Sequence, residues 1–235
     1  CGLPYLLVAG TGMHYAPVSD GSALVPGTLP LFVSGIAVVL FKQPLSQHRI
    51  AGLVLVVTGI VAFLYQSLTH LDSHLLQGHT LFLIGSFMWA TFTICARVSN
   101  LNPLVVAGFI SLLSSIVLFT LIATGTLPSY LASTPPSYWP WQELLGHIVL
   151  QGIGAGVIAS FTYLRAISIL GAERTAAFGA AIPAIATLLA IPVFNEEPSL
   201  LGWVALSLVC IGSLVASNIF MKQDTSLLYQ PPKFK

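Results

Sequence analysis

The few side chains of this sequence that could take part in catalysis or proton transfer lie beside long apolar runs. A carboxylate buried in a membrane can carry protons, because burial raises its pKa toward working pH. Asp20 and Glu173, however, lie at predicted helix ends, where capping of the helix and pairing with its dipole is the expected role. Neither Gly-x-Ser-x-Gly nor His-Glu-x-x-His occurs, so the motifs of nucleophile-elbow hydrolases and zinc proteases are missing.

Histidine is the other side chain that could titrate near neutral pH. The histidines that fall at helix ends or loops on one side of the predicted membrane spans are His14, His70, His74, His79 and His147, and His48 falls on the other side. We expect these side chains to be exposed or interfacial, with contact between His14 and a substrate as the alternative. His70, His74 and His79 suffice in number for a zinc site, but their spacing in a loop gives no ligand geometry. We therefore expect no metal and no cofactor.

The composition determines which elements must position these groups. Hydrophobic residues make up 56% of the chain, charged residues only 6%, and the mean hydropathy is +0.91. Soluble domains carry about 25% charged residues, so most of this surface must face lipid. The net charge of +1 gives no reason to expect a nucleic-acid partner. Cys1, Cys95 and Cys210 lie in apolar runs without metal or disulfide spacing and are expected to be buried.

The charged residues divide the chain into spans. Uncharged gaps of 21 to 24 residues separate Asp20 from Lys42, Arg49 from Asp72, Asp72 from Arg97, Glu143 from Arg165, Arg174 from Glu196, and Glu197 from Lys222. A helix needs about 20 apolar residues to cross the hydrocarbon core. The 45-residue gap from Arg97 to Glu143 holds one crossing, near 102–125, and then a loop with four prolines that extends through Trp141. Residues 1–15 add a partial span, for a total of eight helices and an all-α fold.

The basic residues all fall on one side of these eight spans. They are Lys42, Arg49, Arg97, Arg165, Arg174, Lys222, Lys233 and Lys235. Cytoplasmic loops are enriched in Lys and Arg, so we predict a multi-pass protein of the cell (inner) membrane with a cytoplasmic C-terminus. The aromatic residues of the long loop suit the opposite membrane interface; they are Tyr130, Tyr138, Trp139 and Trp141.

The sequence also repeats itself at an offset of 153 residues. Nine of the 46 residue pairs from Val18 to Phe63 are identical, among them Pro30 with Pro183 and Gly59 with Gly212. The predicted helix ends, prolines and short loops coincide without a gap. Because the offset spans five helices, an odd number, the two copies are expected to have opposite orientations in the membrane, as in many secondary transporters.

These stretches resemble the EamA-type branch of the drug/metabolite transporter superfamily. The first copy reads Ala-Pro-Val-Ser-Asp-Gly-Ser-Ala-Leu-Val-Pro at 16–26 and Phe-Lys-Gln-Pro-Leu-Ser at 41–46. The second reads Gly-Ala-Glu-Arg-Thr-Ala at 171–176 and Phe-Asn-Glu-Glu-Pro-Ser at 194–199, and Trp89-Ala90 resembles the start of a family repeat. The resemblance implies ten helices in two inverted five-helix repeats. Residues 1–68 would be the C-terminal part of the first repeat, 79–221 the second, and 222–235 a cytoplasmic tail.

The resemblance also implies a substrate cavity between the repeats. Polar or aromatic residues on the corresponding helices are Tyr5, Thr11, His14, Ser34, Trp89, Gln151, Tyr163 and Thr187. For each of them, packing or hydrogen bonding between helices is the alternative. Prolines inside the spans, Pro26, Pro30, Pro183 and Pro192, are candidate hinges, with static kinks as the alternative.

The function predicted from this pattern is secondary transport, with export of a small organic metabolite or drug by alternating access. The expected partners are the lipid bilayer and a small-molecule substrate, and the expected state is a monomer or homodimer. The alternatives are a non-transporting scaffold or receptor, or a membrane-embedded enzyme. Subtracting 153 from the start of the Trp89 helix, near His79, places its counterpart about 75 residues before Cys1. We therefore expect two further helices upstream and an inactive chain without them.

Overall fold

The apolar runs form helices throughout the residues that a computed structural model describes, which are 2–69, 73–99, 101–171, 174–175, 178–179, 181–194 and 198–216. These residues contain no β-strand. The helices are α1 (Leu3–Gly12), α2 (Val18–Gly27), α3 (Leu29–Phe41), α4 (Gln47–Thr69), α5 (Ser73–Ser99), α6 (Pro103–Ala123), α7 (Tyr130–Ser133), α8 (Trp141–His147), α9 (Ser160–Leu170), α10 (Ala181–Phe194) and α11 (Leu200–Ala216), with a 3-10 turn at Pro136–Tyr138 and a π-helical segment at Ile148–Ala159.

Five helical stretches of the described chain are long and apolar enough to cross a membrane. They are Val18–Phe41, Gln47–Tyr65, Ser73–Ser99, Pro103–Ala123 and Trp141–Leu170, and shorter apolar helices lie at Leu3–Gly12, Ala181–Val193 and Leu200–Ala216. Together they occupy the positions of the eight spans predicted from the charge spacing. The prediction of an all-helical polytopic membrane protein is confirmed.

The span Val18–Phe41 is broken in its middle, where α2 ends at Gly27 and α3 begins at Leu29. Pro30 has no N–H group to donate to the Pro26 carbonyl, so the regular hydrogen-bond ladder stops there. Thr28 joins the two halves, and its backbone N–H bonds to the Leu24 carbonyl at 3.0 Å. The regular helix is therefore interrupted at this point, next to the predicted hinge residue Pro30.

The loop predicted between α6 and α8 has more regular structure than expected. It contains the short helix α7 and a 3-10 turn. Two tryptophans form hydrogen bonds within this segment. Trp139 Nε1 donates to the Thr134 carbonyl at 2.8 Å, and Trp141 Nε1 donates to the Pro136 carbonyl at 3.1 Å. The prolines end each short element, as predicted, but they do not prevent local hydrogen bonding.

Helices α4 and α11 approach each other closely at glycine residues. A Cβ atom on Gly52 would lie 2.6 Å from the Gly212 carbonyl oxygen, and one on Gly59 would lie 2.9 Å from the Ala205 carbonyl oxygen. Residue numbers rise along α4 while those of the contacts fall along α11, so the two helices are antiparallel. Small residues such as glycine let helix backbones approach closely in a membrane.

This contact involves positions that the 153-residue offset relates to each other. Adding 153 to Gly52 gives Ala205, and adding 153 to Gly59 gives Gly212. The Gly52–Gly212 contact and the Gly59–Ala205 contact are therefore counterparts of each other in the two copies. Val56 and its counterpart Val209 are both fully buried at this crossing. Equivalent helices of the repeat thus run in opposite directions against each other.

The opposite flank of the molecule is loosely packed. Helices α6 and α8 and the π-helical segment contain no buried residue, and their large apolar side chains are exposed. In a membrane protein such a surface faces lipid or further helices.

Several predicted residues lie outside the described part of the chain. They are Cys1, His70, Asp72, Glu173, Glu196, Glu197, Lys222, Lys233 and Lys235.

The glycine contact predicts a position-specific effect of enlarging these residues. Gly212→Leu should strongly reduce the unfolding midpoint in detergent and the yield of folded protein, because its Cβ would already lie 2.7 Å from the Gly52 oxygen and the Val56 nitrogen. Overpacking costs about 1–3 kcal/mol or more. Gly108→Leu on α6 is the matched control, since nothing lies within 4 Å of that position. Equal loss in both variants would contradict the proposed helix contact.

Candidate functional site

Three aromatic side chains meet between α1, α5 and α9, and with Thr93 they form what we call the aromatic cluster: Tyr5, Trp89, Thr93 and Tyr163. The Trp89 ring lies 5.5 Å from the Tyr163 ring and 6.2 Å from the Tyr5 ring, centroid to centroid. All three predicted substrate-path residues of this group are therefore brought together. The cluster therefore joins α1, near residue 1, to α5 and α9.

Hydrogen bonds fix the position of the cluster. Trp89 and Thr93 are four residues apart and so lie on one face of α5. Thr93 donates to the Trp89 carbonyl at 2.8 Å, which leaves the Tyr163 hydroxyl to donate to the Thr93 oxygen at 2.9 Å. Thr93 is fully buried, whereas Trp89 and Tyr163 are half-buried. The backbone N–H of Leu3 holds α1 beside α6 through the Ser114 hydroxyl at 3.0 Å.

The chemistry available at the cluster is stacking and hydrogen bonding without charge. Aromatic faces bind apolar or cationic groups, and Tyr and Trp add a polar atom at the ring edge. Gly85 lies beneath Tyr5, with a hypothetical Cβ 3.6 Å from the Tyr5 ring. The sequence had indicated Tyr5, Trp89 and Tyr163 but not Thr93, whose role depends on the rotation of α5 against α9.

Two other predicted path residues form bonds between helices instead. Ser34 accepts from Arg49, at 3.0 Å from Nε and 2.8 Å from Nη2, and both side chains are buried. Thr187 lies 3.3 Å from the Ser22 hydroxyl, which links α10 to α2. Both contacts are hydrogen bonds between helices, which was the alternative to a position on the substrate path.

The remaining predicted path residues are exposed and lie apart from the aromatic cluster. Thr11 donates to the Leu7 carbonyl of its own helix at 2.7 Å. Gln151 lies in the π-helical segment, 3.1 Å from the His147 ring nitrogen. His14 lies in the connection between α1 and α2. Their predicted contact with a substrate stays a prediction.

The predicted hinge at Pro30 lies at the junction of α2 and α3. Hydrogen bonds to α11 and to α5 hold this junction. Because the Leu31 N–H bonds to Thr28, the Gly27 carbonyl loses its usual partner, and Ser213 of α11 donates to it at 2.7 Å. The Thr28 hydroxyl is bonded to Ser86 of α5 at 2.8 Å. Pro183, the counterpart of Pro30, is buried in the first turn of α10.

The amino-acid sequence did not indicate that Asp20 and His79 pair with each other. His79 is buried, with 1% of its surface exposed, and its Nε2 atom lies 2.9 Å from Asp20 Oδ2. The expectation that His79 is exposed or interfacial is wrong, because α5 continues past it into the packed core. Capping does not describe Asp20 fully either, since it lies in the first turn of α2 but bonds to α5. Gly78, in direct contact with Ala16, was the available signal of close packing.

The described residues show no cluster of three or more His, Cys, Asp or Glu side chains that could hold a metal ion. His74 stacks on Tyr15 with centroids 5.8 Å apart, and His79 pairs with Asp20. These two rings therefore have different partners.

A protein-family model and a solved structure both match this chain. The model of the EamA-like transporter family matches residues 76–218. A crystal structure of another protein, 20% identical in sequence, superposes with a TM-score of 0.60 over 92% of this chain and 74% of that one. At this identity the match shows a shared fold. No curated protein sequence matches the chain.

The junction between α2 and α3 predicts an effect of a single hydroxyl. Ser213→Ala should lower the free energy of unfolding by about 0.6–1.7 kcal/mol, because the buried Gly27 carbonyl loses its donor. The matched control on α11 is Ser207→Ala, since Ser207 is exposed and bonds only to Trp203 of its own helix, at 2.8 Å. Unfolding in mixed detergent micelles measures both, and equal stability of the two variants would contradict the role of Ser213.

Proposed function

Because the chain belongs to the EamA-like transporter family, we propose that it is a secondary transporter that exports a small organic metabolite or drug by alternating access. The observation that carries this proposal is the aromatic cluster. It lies where α1 meets α5 and α9, helices that we assign to different repeats, and Trp89 is near the middle of the 27-residue helix α5. Sites of secondary transporters lie near the midplane between their repeats.

The proposed substrate class follows from the side chains of the cluster. Its rings offer apolar faces and its hydroxyls offer hydrogen bonds, but none of its members carries a formal charge at neutral pH. Such a site favours an amphipathic organic molecule with a ring or apolar group and one or two polar atoms. The rings contact each other here, so a substrate would bind by separating Trp89 from Tyr163.

The proposed movement uses the contrast in packing across the molecule. The α4–α11 pair is held by backbone contact, whereas α9 meets α5 through side chains. The junction at Pro30 gives the span Val18–Phe41 a point of bending. The α4–α11 pair would then remain fixed while α9 and the half-helices α2 and α3 move.

The cluster predicts a loss of transport on removal of its rings. Trp89→Ala and Tyr163→Ala should each reduce solute efflux about two- to tenfold, because a ring contact contributes about 0.5–1.5 kcal/mol. The assay compares the solutes retained and released by cells that express the complete coding sequence with those of cells carrying an empty vector. Abundance in the membrane should stay near normal.

A matched control for this experiment is Trp203→Ala, which removes an exposed tryptophan from α11 far along the chain from the cluster. Transport by this variant should stay near the wild-type rate. Loss of abundance in parallel with transport in the cluster variants would favour a packing role and contradict the proposed path.

The proposed orientation makes a separate prediction. Cysteine introduced at Ser133, in the exposed loop, should react with a membrane-impermeant maleimide in intact cells, whereas cysteine at the exposed Gln47 should react only after the membrane is opened. The segregation of Lys and Arg motivates this expectation. The reverse pattern would place the C-terminus outside and contradict the proposal.

A further inference from the structure

We propose that Asp20 and His79 form a proton-binding site that holds the outer ends of the two repeats together, so that proton occupancy controls opening of the outer side. The inference rests on the proposed alternating-access function and its orientation. It adds a ligand, the proton, and a place where that ligand acts.

The pair bridges two helices that belong to different repeats. Asp20 lies in the first turn of α2, and His79 is the seventh residue of α5. Their side chains meet at 2.9 Å, with His79 buried and Asp20 19% exposed. The exposed part of Asp20 gives the pair its route to water.

The surroundings of the imidazole are apolar and closely packed. The Phe63 ring of α4 contacts the His79 ring edge-on, with centroids 6.0 Å apart. Phe82, one turn along α5, is fully buried against Gly21, where an added Cβ would lie 2.7 Å from its ring. Gly78 contacts Ala16 directly. The charge of the pair is therefore poorly solvated.

The proton changes the net charge of this buried pair. With the proton bound, an imidazolium faces a carboxylate and the pair is neutral overall. Without the proton, a neutral imidazole faces a carboxylate, and the one negative charge that is left is only partly solvated, because Asp20 is 19% exposed. Proton uptake therefore strengthens the contact between α2 and α5, and proton loss weakens it. Imidazole is the side chain whose charge changes between about pH 5 and 8.

The other charged and titratable groups that the structure describes on the helices packed around the pair lie at the same end, at the far ends or within the spans. At the same end, Tyr65 of α4, His74 of α5, and His14 and Tyr15 before α2 are exposed. Groups at or near the far ends of their helices are Lys42, His48, Arg49, Cys95, Arg97 and Arg165, while Tyr5, Tyr163 and Cys210 lie within the described spans of α1, α9 and α11. Arg49 bonds to Ser34, and Arg97 bonds to the Ser168 carbonyl at 3.2 Å.

The location of the pair connects its charge to the transport cycle. Opening of the outer side requires the outer ends of the repeats to separate, and α2 and α5 contribute those ends on the proposed orientation. A protonated pair therefore favours the state that is closed to the outside. Loss of the proton lowers the cost of separating α2 from α5.

A buried reporter position tests this without knowledge of the substrate. Ala23 lies on α2 one turn after Asp20 and is 1% exposed. In a background with Cys1, Cys95 and Cys210 replaced by alanine, Ala23→Cys is labelled in intact cells with an impermeant maleimide at several external pH values. Each rate is divided by the rate for Ser133→Cys, which corrects for thiol chemistry. We expect this ratio to rise about tenfold between about pH 5.5 and about pH 8.

Variants assign the effect to the pair. His79→Gln keeps a hydrogen-bonding side chain but cannot carry the charge, so the ratio should become independent of pH. His74→Gln removes an exposed histidine from the same end of α5 and should keep the wild-type dependence. If His79→Gln does not reach the membrane, Asp20→Asn provides the same test, because it removes the negative charge that pairs with the imidazolium.

The outcomes separate this inference from the proposed function. A ratio that is independent of pH in the wild type, or one whose pH dependence survives in His79→Gln or Asp20→Asn, overturns the proton site and leaves alternating access intact. Loss of the dependence in His74→Gln also overturns it. Absence of labelling at Ala23→Cys at every pH overturns both proposals, since the outer side then does not open.

Discussion

The backbone contact between α4 and α11 is the constraint on which the remaining helices depend. In lipid, no hydrophobic force draws one apolar helix to another, so close packing and hydrogen bonds must hold them. Gly52, Gly59 and Gly212 give these helices direct backbone contact. Because Val209 also touches Gly27, the same pair determines where α2 can lie. The position of α5, and with it the aromatic cluster, then follows from its packing against α2.

Short polar side chains connect the two repeats around this contact. Ser22 meets Thr187, Thr28 meets Ser86, and Ser213 bonds to Gly27. Each such bond contributes little in a membrane, on the order of 0.6 kcal/mol on average. Helices joined in this way can exchange partners at low cost. A protein that alternates between two arrangements needs bonds of this kind between its moving parts and a tighter contact between its fixed ones.

The sequence predicts the helical fold well because charge is so scarce. Six of the gaps between charges had the length of one span, and the identical pair Gly59 and Gly212 already indicated the repeat. Three members of the aromatic cluster were also predictable from the family resemblance. Thr93 and His79 were not, because their burial depends on how α5 is rotated and how far its end is covered. His79 is a polar residue of the kind expected at the end of a span, and its burial results from tertiary packing.

The π-helical segment Ile148–Ala159 has a mechanical consequence for the aromatic cluster. Its turns are wider than α-turns, and the Ser160 hydroxyl reaches five residues back to the Ala155 carbonyl at 3.1 Å. No neighbouring atom lies within 4 Å of a Cβ placed on Gly152, so the surroundings do not hold the winding there. Since α9 continues directly from this segment, a change from π-helical to α-helical winding there would rotate α9 about its own axis. The Tyr163 ring would then swing across Trp89 without any change in the loops at either end.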